Sequence, residues 1–220
     1  MQKNTRFIAL IVCDFIILIS SIIGLLFSAL DVRFMVDVER LSSLPILMTF
    51  TGLSNLFIGL VCLGCAVYRL RRKDVHISRP LFLLKLISLS EITITLVITA
   101  AVLAPQLGSS WWRLYINNNL FNHFITPLLA LIAFIVFEPY TEISFSSCFF
   151  ALIPIVLYGI FYVLDIVTQL NEDGSINSVY DIYGLLKFGI PIGVLFFVGF
   201  LGASFGLTVL YRFIKQKNHL

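Results

Sequence analysis

The stretch "NNNLFNHFITPLLALIAFIVFEP" places a histidine, His123, in a segment otherwise apolar enough to cross a bilayer. A polar side chain in hydrocarbon is costly and usually faces a bundle interior or a cavity. A neutral imidazole titrates near physiological pH and can serve as a base. A threonine hydroxyl becomes a useful nucleophile only with such a base in hydrogen-bond reach. The earlier stretch "FTGLSNLFIGL" supplies a threonine, Thr51, in a second apolar segment.

Both residues have polar company at helical spacing. Residues four apart are neighbours on a helix, so Thr51 shares a face with Asn55 and lies near Ser54, while His123 shares one with Asn119 and lies near Thr126. If the two segments span from the outer face, helical rise puts Thr51 roughly 10 Å deep and His123 roughly 8 Å deep. A third segment carries Ser88, Glu91, Thr95 and Thr99 at spacings of three and four. Glu91 falls near mid-membrane, so it is expected to be protonated or bonded to a partner. Asp14 and Lys85 fall nearer the inner face, where snorkelling accounts for them. Asp165 and Lys187 lie at similar depth near the outer mouth; they either neutralise each other or leave Lys187 to hold a substrate carboxylate.

The elements that must position these side chains follow from composition. The chain has 220 residues, 59% hydrophobic and 12% charged, with a mean hydropathy of +1.00. A soluble domain would carry about 25% charged residues, so an integral membrane protein is expected. The formal charge of +3 sits in short flanks beside apolar runs, a pattern that does not suit nucleic acid. Six segments have the length of membrane spans: 7–30, 44–70, 81–103, 118–137, 148–168 and 184–213. The expected fold is a single all-α domain over 1–220, a bundle of six transmembrane helices. Ten lysines and arginines flank one side against Arg33, Arg40 and Arg113 on the other, which predicts both termini in the cytoplasm.

The first span is too long for a signal-peptide apolar region and lacks a small-residue cleavage site, so it reads as a helix. Pro127, Pro154 and Pro191 fall inside spans and predict kinks. Gly189 with Gly193, and Gly202 with Gly206, predict close helix packing. Cys62 and Cys65 form a C-x-x-C within a span, where two small apolar fillers are expected. No internal repeat is evident, which weakens a transporter of two inverted halves.

"FTGLSNLFIGL" and "LFNHFITPLLALIAFIVFEP" resemble two signature helices of the androgen-induced protein family, which includes the androgen-dependent regulator of tissue factor pathway inhibitor. "VYDIYGLLKFG" is similar to bacterial-type members. The resemblance implies a six-span protein, here in a bacterial cell membrane, that acts on membrane lipids as a threonine hydrolase of fatty acid esters of hydroxy fatty acids. Carried over by motif, Thr51 is the nucleophile and His123 its base, with Thr49 close enough to compete for the first role.

On that reading Thr51 attacks an ester carbonyl, and a water activated by His123 releases the acyl group. Asn119, or Glu91 if its helix reaches high enough, would orient the imidazole by analogy with catalytic triads. Asn55 or Asn122 would donate to the oxyanion. Neither G-x-S-x-G nor H-E-x-x-H is present, so soluble-lipase and zinc-protease chemistry lack motif support, and no metal or organic cofactor is implied. Two alternatives remain: a transporter or channel lined by the same residues, and a noncatalytic membrane protein in which Thr51 bonds its own backbone and His123 ties helices together.

Overall fold

A computed structural model describes residues 3–31, 45–177, 179–181, 183–186 and 189–217. Among these residues the regular structure is entirely helical. Six helices are long and apolar enough to cross a membrane: α1 (Lys3–Ala29), α2 (Phe50–Arg72), α3 (Arg79–Gln106), α4 (Asn117–Phe137), α5 (Ser146–Thr168) and α6 (Ile190–Lys217). They follow the expected spans except at the start of α6, which lies at Ile190 and not at 184, and at the start of α2. The apolar run begins at residue 44, but Pro45 is extended and a 3-10 turn fills Ile46–Met48, so the helix starts at Phe50.

The ends of the helices follow from local chemistry. Lys73 stops α2 in the left-handed region at φ 52°, its N–H closing on the Arg69 carbonyl at 2.8 Å. Pro80 sits in the first turn of α3, where its missing N–H removes no helical bond. Pro154 and Pro191 occupy first turns of the α-helical parts of α5 and α6. Pro191 therefore starts α6 and does not interrupt it, contrary to expectation, whereas Pro154 lies inside α5, just after the 3-10 turn Ser146–Ala151 gives way to α-helix.

The core lies among α1, α2, α3 and α4. Ile17, Ile58, Cys62, Cys65, Phe82, Leu86, Leu89, Ile92, Ala130 and Phe134 form one buried cluster joined by Tyr211 of α6. Cys62 and Cys65 are free thiols inside it. The central helix is α3, with 61% of its most apolar window buried against 17% for α6. Hydroxyl pairs join the helices: Ser20 with Thr126 at 2.7 Å, Ser54 with Thr95 at 2.8 Å, Ser90 with Thr208 at 2.8 Å and Thr93 with Tyr211 at 2.9 Å. Each such bond in a membrane helix is worth about 0.6 kcal/mol on average.

A closed ring of four charges ties α1, α2, α3 and α4 at the end where α2 finishes and α3 starts. Arg69 donates to Asp14 and Glu138, while Lys85 reaches Asp14 Oδ1 and Glu138 Oε2, each at 2.6 Å. All four side chains are almost wholly buried. Snorkelling therefore does not describe Asp14 and Lys85, and Glu138, the residue after α4, is buried with them. Each charge has two partners of opposite sign, which offsets the several kcal/mol that burying one ion costs.

Among the described residues, Gly202 and Gly206 have no neighbouring atom within reach of an added Cβ. The expected close packing at that pair does not occur. Gly189 lies before α6 with φ 93°, and Gly193 approaches Leu185 and Leu186.

Candidate functional site

The first turn of α2 is assembled by three hydroxyl contacts. Thr49 is its N-cap: Oγ1 donates to the Ile46 carbonyl at 2.6 Å and accepts the Gly52 N–H at 3.0 Å. An added Cβ at Gly52 would collide with the Ile46 carbonyl, so the 3-10 turn folds back over this helix end only because residue 52 is glycine. The Tyr183 hydroxyl accepts the Phe50 N–H at 2.9 Å, satisfying another of the donors that a helix start leaves open. Burial pushes the Tyr183 hydroxyl up from its ordinary range, so it remains a neutral phenol.

Thr51 is the second residue of the helix, shallower within its element than the hydropathy of the segment suggested, and is buried. It lines a cavity of about 70 Å³ with Thr95 and Thr99 of α3, Tyr158 and Tyr162 of α5, and Tyr183. Apolar side chains, among them Ile94, Ile98, Phe197 and Phe200, complete the wall. The volume is below the roughly 150 Å³ that accommodates benzene.

His123 lies in a π-helical turn, Phe121–Ile125, two residues before Pro127. The Thr126 N–H bonds back five residues to the Phe121 carbonyl, and proline cannot supply the N–H that an α-helix would aim at the His123 carbonyl. The same register recurs in α3, where the π turn Thr99–Leu103 precedes Pro105 and the Ala104 N–H bonds to Thr99. Two X-Pro positions thus widen the helices beside Thr99 and His123, and turns of this type concentrate at functional sites. Pro105 is the sequence signal for the first of them.

The imidazole is held by the chain that leads into α4. Its Nδ1 lies 3.1 Å from the Leu114 carbonyl. A carbonyl only accepts, so Nδ1 carries the proton and Nε2 presents a lone pair in the neutral ring. Asn119 does not orient it: its amide donates to the Arg113 carbonyl at 3.2 Å, and the neighbouring Asn118 side chain accepts the Asn119 N–H at 3.0 Å. The run of asparagines is the start of a helix, with Asn117 at φ 53°. Glu91 does not reach the imidazole; one of its oxygens bonds Ser204 of α6 at 2.7 Å.

Asn55 and Asn122 connect the two candidate residues through the backbone. Asn55 Nδ2 donates to the Thr51 carbonyl at 2.8 Å and to the Asn122 carbonyl at 3.0 Å. Asn122 Nδ2 donates to the Gly24 carbonyl at 3.1 Å and to Ser28 at 2.7 Å. Each amide has two protons and each proton is engaged, so neither is available to an oxyanion, which corrects that expectation. No hydrogen bond joins the side chains of Thr51 and His123, and His123 is not part of the cavity wall around Thr51.

Lys187 lies outside the described residues. Tyr158 and Tyr162 of α5 and Tyr183 of the α5 to α6 connection, for which the sequence suggested no role, line the cavity. Tyr162 donates to Asp181, whose carboxylate also accepts the Leu185 and Leu186 N–H groups at 2.9 and 3.1 Å. Among the described residues no group of three histidines, cysteines or carboxylates could hold a metal ion.

No family model, curated protein or solved structure matches the chain. The six helices long and apolar enough to cross a membrane are compatible with one class, the multi-pass membrane proteins.

Proposed function

We propose that the protein is an intramembrane hydrolase of lipid esters, with Thr51 as nucleophile and His123 as base. The observation that carries this reading is the bond from His123 Nδ1 to the Leu114 carbonyl. It selects the tautomer whose Nε2 can take a proton, and Asn55 fixes that turn to the turn bearing Thr51. The likeness of the two helices to the androgen-induced family supplies the substrate class, fatty acid esters of hydroxy fatty acids, and a bacterial cell membrane, while the excess of lysine and arginine on one side supports both termini in the cytoplasm.

Thr51 Oγ1 adds to the ester carbonyl as its proton passes to Nε2. The imidazolium then protonates the leaving alkoxide, and a water deprotonated by His123 hydrolyses the acyl-threonine. In this structure the two side chains are not hydrogen-bonded, so the proposed chemistry requires substrate entry to bring them within reach. Catalytic bonds in ligand-free enzymes commonly tighten only in the complex. With both asparagine amides engaged, the oxyanion falls to the phenol of Tyr183, which shares the cavity with Thr51. The cavity admits the carbonyl end of an ester, and the chains lie along the apolar outer faces of α5 and α6.

The transport alternative has less support. Of the stripe it needs, Ser88 bonds the Lys85 carbonyl, Glu91 bonds Ser204 and Thr95 bonds Ser54.

The test is fluorophosphonate labelling of purified protein in detergent, with ester hydrolysis followed in parallel, for wild type, Thr49→Ala, Thr51→Ala and His123→Ala. Loss of both signals in the last two, with Thr49→Ala retaining them, is the expected result. A folded wild type that neither labels nor hydrolyses any lipid ester rejects the proposal.

A further inference from the structure

Ser204 stands between two acceptors with one proton to give. Its Oγ lies 2.7 Å from Glu91 Oε1 and 2.8 Å from the Ala151 carbonyl. A hydroxyl carries a single donor, and a backbone carbonyl can only accept. Both contacts are full two-centre hydrogen bonds when Ser204 donates to Ala151 and receives a proton from Glu91; the alternative is one proton shared weakly between two acceptors. In the first arrangement the proton from Glu91 is the carboxyl's own.

The surroundings agree. Glu91 is 1% exposed and Ser204 fully buried. Among the described residues Glu91 Oε2 has no hydrogen-bond partner. No described ion pair includes Glu91, whereas the buried carboxylates Asp14 and Glu138 each have two cations. An ionised carboxylate with one neutral donor in an apolar interior costs several kcal/mol. The acid form leaves only one carbonyl oxygen unpaired, a smaller penalty.

We infer that Glu91 is a proton-binding site in the bundle interior: a neutral carboxylic acid that donates to Ser204, which passes the chain on to Ala151. The site is separate from the proposed Thr51 and His123 chemistry. It lies one helical turn from the cavity, since Thr95 and Phe200, four residues from Glu91 and Ser204 respectively, line its wall. Loss of the proton would turn the donor into a second acceptor competing for the single Ser204 proton, and so loosen the seam between α3 and α6.

A neutral acid in an apolar setting reacts with dicyclohexylcarbodiimide. The carboxyl proton passes to one carbodiimide nitrogen while the carboxyl oxygen bonds to the central carbon, giving an O-acylisourea with no group lost. Purified wild-type protein in lipid nanodiscs at neutral pH is treated with the reagent, digested and mapped by mass spectrometry. The expected adduct is on Glu91, with Asp14 and Glu138 unmodified as internal controls. Infrared spectroscopy of the same sample removes any dependence on reagent access. A carboxylic acid C=O band is expected that shifts when glutamate is ¹³C-labelled and disappears in Glu91→Gln. The labelled wild type serves if that variant does not fold. Absence of a glutamic acid band in wild type, or labelling of Asp14 and Glu138 to the same extent as Glu91, overturns the assignment.

Discussion

Asn55 donates to the carbonyl of Asn122 at 3.0 Å, so a side chain on α2 is bonded to the π turn of α4 that bears His123. The second proton of the same amide goes to the Thr51 carbonyl. One residue thereby fixes the relative position of the two segments on which the proposed chemistry depends.

Replacing Asn55 with leucine removes both bonds and leaves the buried Asn122 carbonyl without that donor. A loss of about 1–3 kcal/mol is expected, read as lowered thermal stability in detergent. Lipid-ester turnover should fall further than stability alone explains, because the base is no longer held against the nucleophile's turn. Unchanged turnover in a folded Asn55→Leu protein would show that the link is structural only.

The charge ring should respond asymmetrically. Glu138→Gln leaves Arg69 and Lys85 sharing one carboxylate, and removing one partner of a buried pair costs about 3–5 kcal/mol. The combination Glu138→Gln with Arg69→Met removes one charge of each sign and should recover part of that loss. The exposed Arg79–Glu142 pair at 3.5 Å is the control; Glu142→Ala should change stability by no more than about 1 kcal/mol. Equilibrium unfolding in mixed micelles measures all three.

At the α2 start, Gly52→Ala must displace the Ile46–Met48 turn, because backbone occupies the Cβ position. Overpacking of this kind costs about 1–3 kcal/mol. Thr49→Ala, which loses only the cap, should cost about 1 kcal/mol and leave catalysis in place. A Gly52→Ala protein as stable as wild type would mean that the turn is free to move away.

Tyr183→Phe tests the oxyanion role. It deletes the hydroxyl that bonds Phe50 and shares the cavity with Thr51. Loss of a single oxyanion donor typically lowers kcat about 10²–10³-fold. A fall of that size in kcat with KM little changed is expected from steady-state hydrolysis; a change confined to stability would restrict Tyr183 to capping.

The candidate residues were legible because an apolar segment exposes its exceptions. His123, Thr51 and Glu91 each stand out against apolar neighbours, and asparagines around them mark a polar layer. The roles of those asparagines were not legible. Whether an amide is available to a ligand depends on where its two protons already go, and the partners of Asn122 lie on α1, nearly a hundred residues away. The π turns were half visible, since Pro105 and Pro127 remove the N–H groups that would keep the helices regular, yet a proline alone does not say whether a helix kinks, starts or widens.

By itself the sequence determined the number of spans, their approximate limits and the side chains too polar for lipid, because hydropathy and helical rise are local properties of the chain. Tertiary structure alone decided which polar groups meet. Asp14, Arg69, Lys85 and Glu138 look like four unrelated charges when read along the chain, and only the packing of four helices closes them into a ring. Ser204 likewise acquires its meaning from Glu91 and Ala151 on two other helices. Hydrogen bonds and ion pairs act over a few ångströms in space, whatever the separation in sequence.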